Sequence, residues 1–316
     1  MRVDVSVIIC TRNRAGVLPV LLESLEKMTV PDGLAWEVLV VDNASTDDTP
    51  RVAQEWSRRL PLRCVREDRI GKSHALNTGI EKSCGKVLAF LDDDAWVDRG
   101  WLTAVWTASR REGFSHGGGP VVAVWKCKPP GWMALGGPYK VPCAIVERAE
   151  TPEFSPGGVL FILREVAIRN GPYRVDLGPG ASGASEDTEY CMRLRQRGLR
   201  PMFVPGAKIF HPVEAHRLTR AYLVRWRSAC GRSEMRWRGV PMGTACILGV
   251  PRFLLRREVE SLILWWLSFD SKKRFFYRCR YAYTLGEILE SFGNRGSRVS
   301  PAANDLVGSN VVGGAR

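Results

Sequence analysis

Three consecutive carboxylates, Asp92, Asp93 and Asp94, follow the apolar run Leu88–Leu91 in LAFLDDDAW. An apolar run of that length reads as a buried strand, and three adjacent acids at its end repel one another unless a positive group is present. Hard oxygen ligands in such a place suit Mg2+ or Mn2+, ions that in turn bind phosphate oxygens. The alternative is an acidic turn or a helix cap. A second acidic group, Glu186 and Asp187, follows the glycine-rich stretch GPGASGAS. There the ordinary reading is acids placed in the first turn of a helix, where the dipole favours them.

These groups need elements to hold them. Val3–Cys10 is apolar and β-branched, a buried strand ending in TRNR. Leu18, Leu21, Leu22, Leu25 and Met28 recur at helical spacing. Trp36–Val41 is a second strand ending in DNASTDDTP, where Asp48 or Thr49 is placed to cap a helix beginning at Pro50. Leu62–Val65 is a third strand, GKSHALNTGIEKSC a helix and Lys86–Leu91 a fourth strand. Strand and helix alternate, which predicts an α/β fold with a doubly wound, mostly parallel sheet flanked by helices. Ligands of such sheets sit at the carboxyl ends of the strands. The polar loops after strands one, two and four would therefore share one crevice. Neither a classical dinucleotide fold nor a P-loop is supported. Further on, the sequence predicts a helix over 98–111, a strand over 119–125, a long surface loop over 126–156, a strand over 158–164, a helix from the EDTE segment to Gly198, and short strands closing at His211.

The segments VSVIICTRNR, VLVVDNASTDDT, GKSHALNTGI, LAFLDDDAWVD and SGASEDTEYCMRLRQRG occur in an order and spacing that resembles the family 2 glycosyltransferases of the GT-A fold, over about Val5–His211. The resemblance implies an inverting transfer of a sugar from a nucleotide-diphosphate donor, most often a UDP-sugar, to a hydroxyl of a glycan or lipid-linked acceptor in cell-surface glycan or polysaccharide synthesis. It implies that Asp92 and Asp94 form the DxD motif, with Asp94 a direct ligand of Mn2+ or Mg2+ and Asp92 nearer the ribose and metal-bound water. Asp93 would point to the opposite side while still lining the donor site. His211 resembles a late metal ligand of the family, with His216 as its competitor. Asp42 would accept from the base or ribose, and Thr11, Arg12 and Asn13 would frame the base. Gly71, Lys72, His74 and Asn77 would lie over the nucleotide, Lys72 neutralising a phosphate. Asp187, beside Glu186, would be the general base, and Arg193 or Arg217 could add positive charge at the leaving group. The bland readings are an Asx turn for Asp42 and a solvated helix start for Lys72. A polyprenyl-phosphate sugar synthase is the nearest alternative, a nucleotidyltransferase a more distant one.

Charge adds a separate signal. The net charge is +13, and Arg217–Arg280 holds fifteen Arg or Lys against four Asp or Glu, interleaved with Trp and Phe. The expected organisation is a catalytic domain over 1–215, a basic, aromatic-rich helical segment over 216–292 and a flexible tail over 293–316. The basic segment could meet an anionic membrane surface, pack as a helical subdomain with a solvated face, or bind nucleic acid on a degenerate scaffold, the last being disfavoured. Leu255, Val259, Leu262, Ile263 and Trp266 form a helical stripe that suits core packing or membrane contact. Nine cysteines without regular spacing suggest reduced thiols. No signal peptide or spanning segment is visible, so the expected location is cytoplasmic, peripheral on the inner face of the cell membrane.

Overall fold

Alternation along each strand decides the architecture. In the computed structural model, which describes residues 3–141 and 159–293 and a short strand at 298–299, β1 (Val5–Thr11), β2 (Trp36–Asp42) and β4 (Val87–Asp92) lie side by side. Val5, Val7 and Ile9, Val38 and Val40, and Val87, Ala89 and Leu91 point to one face. There they meet Leu18, Leu21, Leu22 and Leu25 of α1 (Leu18–Glu26), Ala53 of α2 (Thr49–Trp56), and Trp101, Leu102 and Val105 of α4 (Trp101–Ser109). Ile8, Leu39, Val41, Leu88 and Phe90 point to the other face. Their partners are Ala75 and Leu76 of α3 (Lys72–Lys82), Val166 and Ala167 of α5 (Arg164–Asn170), and Tyr190 and Leu194 of α6 (Glu186–Gln196). A strand apolar on both faces must be covered twice, and this sheet is.

The seven-stranded sheet runs β3-β2-β1-β4-β8-β6-β9, with β3 at Leu62–Arg66, β6 at His116–Gly118, β8 at Phe161–Leu163 and β9 at Met202–Phe203. The first four strands are parallel, while β8 is antiparallel to β4 and to β6. Register aligns the carboxyl ends: Thr11 sits opposite Asp42, Cys10 opposite Asp92, and Asp42 opposite Arg66. A second sheet joins β5 (Trp96–Val97), β10 (Ile209–Val213) and β7 (Val121–Trp125).

Local signals shifted in four places. Asp47 rather than Asp48 serves α2, its carboxylate accepting from Thr49 N (3.0 Å) and Thr49 Oγ1 (2.5 Å). The helix expected from Asp98 begins at Trp101, because Asp98 turns its carboxylate onto Gly100 N. The strand expected over 119–125 begins only at Val121 as β7, and a separate strand, β6, precedes it at His116–Gly118. The last strand runs through His211 to Val213 instead of closing at the histidine.

By contacts the chain forms two units. The first comprises 1–124, 145–181 and 186–212, the second 125–144, 182–185 and 213–316. The second unit takes in the basic segment together with part of the expected surface loop. Met133, Ala134 and Val141 of that stretch are buried, and the Trp132 and Tyr139 rings meet Phe275 and Phe276. Residues 142–156 of the loop lie outside the described residues, as does the expected tail from 294 apart from the strand at 298–299.

The second unit is built on α7 (Arg220–Arg238), α8 (Arg252–Leu267) and α9 (Ser271–Gly293), with a two-stranded hairpin, Cys246–Ile247 and Val250–Pro251, before α8. One small buried cluster there holds Met235, Val250, Leu254 and Ile288. Ionic links add to it: Arg236 with Glu290, Arg238 with Glu234, Arg257 with Glu287 and Arg280 with Glu260. Close approach of α7 and α9 depends on two glycines. A Cβ on Gly231 would fall inside the Tyr283 carbonyl, and one on Gly286 inside the Ser228 carbonyl. Gly231→Val should therefore destabilise this unit by about 3 kcal/mol or more, because backbone lies on both sides of the clash. Urea unfolding followed by tryptophan fluorescence measures it, and an unchanged midpoint would refute the packing argument.

Candidate active site

The three carboxylates that opened the problem each face a different partner. Asp92 Oδ1 receives Lys72 Nζ at 3.0 Å. Asp93 Oδ2 accepts from Thr11 Oγ1 at 2.7 Å, with Arg14 Nε 3.7 Å away. Asp94 Oδ1 lies 3.2 Å from His211 Nε2. The acids fan outward at the end of β4, each toward a donor or cation of its own. Burial pushes the Asp93 carboxyl up to about 6, the Thr11 bond and Arg14 opposing the shift and its acidic neighbours adding to it.

Lys72 is the hub. Besides Asp92 it lies 3.1 Å from Glu186 Oε1 and 3.6 Å from Asp187 Oδ2. Burial alone would lower its pKa, but Asp187, Asp92 and Glu186 together hold it well above the usual lysine range. The ammonium stays charged and joins the strand-end acid to both acids of α6. Asp187 is pushed up to about 7, first by burial; Glu186 and Asp92 add to the rise and Lys72 opposes it. A carboxyl near neutrality in such a place is poised to exchange a proton. Glu186 is more enclosed than Asp187 and packs against Gly178, whose φ of +88° excludes a side chain there.

The helix that carries Lys72 is itself held from two sides. Asn43, directly after β2, donates its amide to the carbonyls of Glu67 and Arg69 and accepts from Gly71 N at 2.8 Å. Lys72 N donates to Pro179 O and Ser73 Oγ to Leu177 O. Gly180 approaches the Gly71 backbone so closely that a Cβ would collide with it. The loop before α6 is thus fastened to the start of α3. Asn43 was missed in the sequence because an Asx residue after a strand reads as a turn former. Glu67 was missed too; Arg69 and Thr78 hold its carboxyl down to about 2, against the effect of burial.

The remaining expected residues sort by surroundings. Asp42 is 1% exposed, accepts Ser45 N at 3.2 Å and pairs with Arg66 Nη1 at 3.2 Å, so an Asx turn and an ion pair share it. Asn13, in the left-handed region with φ 53°, donates its N–H to Ser45 Oγ and accepts from Thr46 N. Arg12 is exposed at the end of β1. Asn77 points elsewhere: its side chain donates to Tyr173 O and accepts from Tyr173 N, a clamp between α3 and the following chain. Arg193 is tied to Glu189, Asn170 O and Pro172 O.

The expected metal set is brought together only in part. Asp94 and His211 meet, while Asp92 turns to Lys72; His216 instead stacks edge-on against Tyr222. Among the described residues no group of three or more His, Cys, Asp or Glu is arranged around a common ion position. The Asp94–His211 pair nonetheless has the chemistry for a cation. His211 Nδ1 lies 2.9 Å from the Pro212 carbonyl, an acceptor, so Nδ1 carries a proton and Nε2 is the atom that faces the Asp94 carboxylate. A carboxylate and an imidazole nitrogen so placed are held together by a proton or a metal ion, and the pair suits divalent Mn.

Known proteins share this sequence pattern and fold. Residues 6–140 match the family model described as Glycosyl transferase family 2. The chain is 29% identical over 244 residues to the succinoglycan biosynthesis protein ExoM of Rhizobium meliloti (strain 1021), covering 75% of each chain. It is 25% identical over 231 residues to a glucosyl-dolichyl phosphate glucuronosyltransferase of Haloferax volcanii, covering 70% of this chain and 72% of that one. Among solved structures, the mannosyltransferase PcManGT from Pyrobaculum calidifontis, in complex with GDP-Man and Mn2+, superposes with a TM-score of 0.53 at 21% identity, over 97% of this chain and 79% of that one. S. aureus TarS 1–349 in complex with UDP-GlcNAc gives 0.53 at 14% identity, over 88% and 90%. The fold is that of the GT-A glycosyltransferases. Residues 6–140 thus resemble glycosyl transferase family 2, and the chain is a glycosyltransferase.

Proposed function

We propose that the chain is an inverting transferase that moves a sugar from a UDP-sugar to a hydroxyl of a glycan or lipid-linked acceptor during polysaccharide synthesis. The observation that carries this reading is Lys72, which joins Asp92 at the end of β4 to Glu186 and Asp187 at the start of α6. One cation links the acid expected beside the donor diphosphate to the acid expected beside the acceptor. The polysaccharide context is supported by the likeness to the succinoglycan protein.

In this reading the acceptor oxygen attacks the anomeric carbon and its proton passes to Asp187 Oδ. The bond from that carbon to the diphosphate oxygen breaks, and the nucleoside diphosphate leaves with the electron pair. A single displacement inverts the anomeric centre. Asp187, with its raised pKa, is matched to taking a proton near neutral pH. Lys72 stays charged throughout and stands where it can turn from carboxylate to phosphate. Asp94 and His211 would hold a divalent Mn or Mg ion, with Asp92 beside it, and the ion would supply Lewis-acid charge neutralisation at the diphosphate. Asp42, Thr11 and Asn13, at the aligned ends of β1 and β2, would frame the nucleoside.

Thermal stability with UDP, GDP, CDP and dTDP, each with and without Mn2+, tests the reading. A ligand that binds only the folded chain at a hundredfold its Kd adds about 2.7 kcal/mol, a rise of several degrees. The expected result is a shift that needs UDP and Mn2+ together. A shift with GDP alone would replace the base, since a mannosyltransferase of this fold is seen with GDP-Man. No shift with any pair would overturn the assignment of the donor site.

A further inference from the structure

Helix α8 carries more outward apolar surface than a helix that only packs on its neighbours needs. The residues it buries are Leu254, Ser261 and Ser268 just beyond its end, with Arg257 reaching inward to Thr284 Oγ1 at 2.9 Å and to Glu287. Of the apolar stripe of the sequence, Leu255 packs against the buried cluster, while Val259, Leu262, Ile263 and Trp266 face solvent and Leu267 and Phe269 continue them. Trp266 is 79% exposed and Phe269 fully so. A soluble helix leaves its polar face outward; this one leaves large apolar side chains there and packs only Leu254, Leu255 and small or polar residues inward.

Charge brackets the apolar band. Arg252 and Arg256 lie exposed at the amino end of the same helix, and Lys272 and Arg274 lie exposed in the first turn of α9, just past Phe269. The acids nearby are engaged: Glu260 holds Arg280 at 2.9 Å, and Asp270 accepts Lys273 N at 2.8 Å as the cap of α9. Glu258, on the flank, is partly buried and pushed up to about 7 by that burial, Arg257 opposing the shift. No helix among the described residues is long and apolar enough to cross a membrane. An apolar ridge ending in Trp and Phe, with surplus cations at both ends, has the chemistry of a helix lying flat in the headgroup region.

We propose that the outer face of α8 docks the protein on an anionic lipid bilayer, its apolar ridge sunk to the boundary between headgroups and acyl chains and its bracketing cations on lipid phosphates. The surplus of cations around the ridge is complementary to an anionic surface rather than to a second copy of the same face. The assignment goes beyond the transfer reaction and does not depend on it.

Co-sedimentation of the full chain with phosphatidylcholine vesicles, with and without phosphatidylglycerol, tests it. Each cation near the surface contributes about fivefold in partition, so vesicles containing phosphatidylglycerol should bind at least tenfold more protein, and less as salt rises. Ile263→Glu with Trp266→Glu, both at exposed positions, should lose at least tenfold of that binding. Arg252→Glu with Arg256→Glu should lose chiefly the preference for the anionic lipid. Equal partition onto both vesicles, absence of binding, or unchanged binding by the Ile263/Trp266 variant overturns the proposal. So does a wild-type dimer, seen by analytical ultracentrifugation, that the same variant renders monomeric, since the face would then belong to a second copy.

Discussion

Asp187→Asn is expected to lower sugar transfer by about 10²–10⁴-fold, the range for loss of a positioned base, while nucleotide binding survives. The side chain keeps its size, but a carboxamide cannot take the acceptor proton. The wild-type rate should climb as pH rises through about 7, because the base must be ionised and burial has raised its pKa to that region. In the variant that limb should vanish. Stability should move the other way. A carboxyl raised from 3.8 to about 7 is destabilising once ionised, so the fold loses stability as pH rises through that window. At pH 8 the Asn variant should thus be more stable than wild type, with little difference near pH 4. Initial rates across pH, isothermal titration with nucleotide and melting curves at the two pH values check the three parts. Near wild-type transfer would mean that the acceptor arrives with its own charged oxygen, as a polyprenyl phosphate does, and needs no base.

Lys72→Met is the second large effect. It leaves Asp92, Glu186 and Asp187 facing one another with no cation, in a place where the ammonium lies within 3.6 Å of all three. Breaking one side of an enclosed ion cluster costs about 3–5 kcal/mol, and the loss should be greater at pH 8 than at pH 6. The reason is that Lys72 lowers the Asp187 pKa. Without it that carboxyl rises further, and at the lower pH it sheds its charge. Adding Asp187→Asn to Lys72→Met should recover much of the lost stability, and chemical denaturation of the four proteins of that cycle measures the coupling. A Met variant as stable as wild type at both pH values would show that the cluster is already compensated by solvent.

How far the sequence reaches is clear from particular residues. Ile8 and Ile9 are both apolar, yet they serve opposite faces of the sheet, and uninterrupted apolar strands of this kind announced a sheet covered twice. The loops after β1, β2 and β4 were placed by the rule that ligands gather at carboxyl ends. The directions taken by Asp92, Asp93 and Asp94 were not legible, because beyond the last strand residue the period of two no longer governs and each side chain follows its nearest partner. His211 and His216 are equivalent by spacing; only the antiparallel pairing of Phe210 with Trp96, two residues from Asp94, brings one of them to the acid. Asn77 looked available to a ligand because a polar residue on a helix gives no sign of a backbone partner almost a hundred residues away. The stripe on α8 was legible as a stripe, but its direction was not, because Ser261 and Ser268 on the packed side carry no apolar signal.

The register that sets Thr11 opposite Asp42 and Cys10 opposite Asp92 also decides which changes the chain can absorb. Removing or adding one residue inside β1 or β4 would turn every later side chain to the wrong layer and draw the terminal acids out of line with their neighbours. Length changes in the connections at the amino ends of these strands leave that edge untouched. A lineage built on this frame is therefore free to drift in its loops and in what they recognise, while the spacing of its acids is held fixed by the hydrophobic core beneath them.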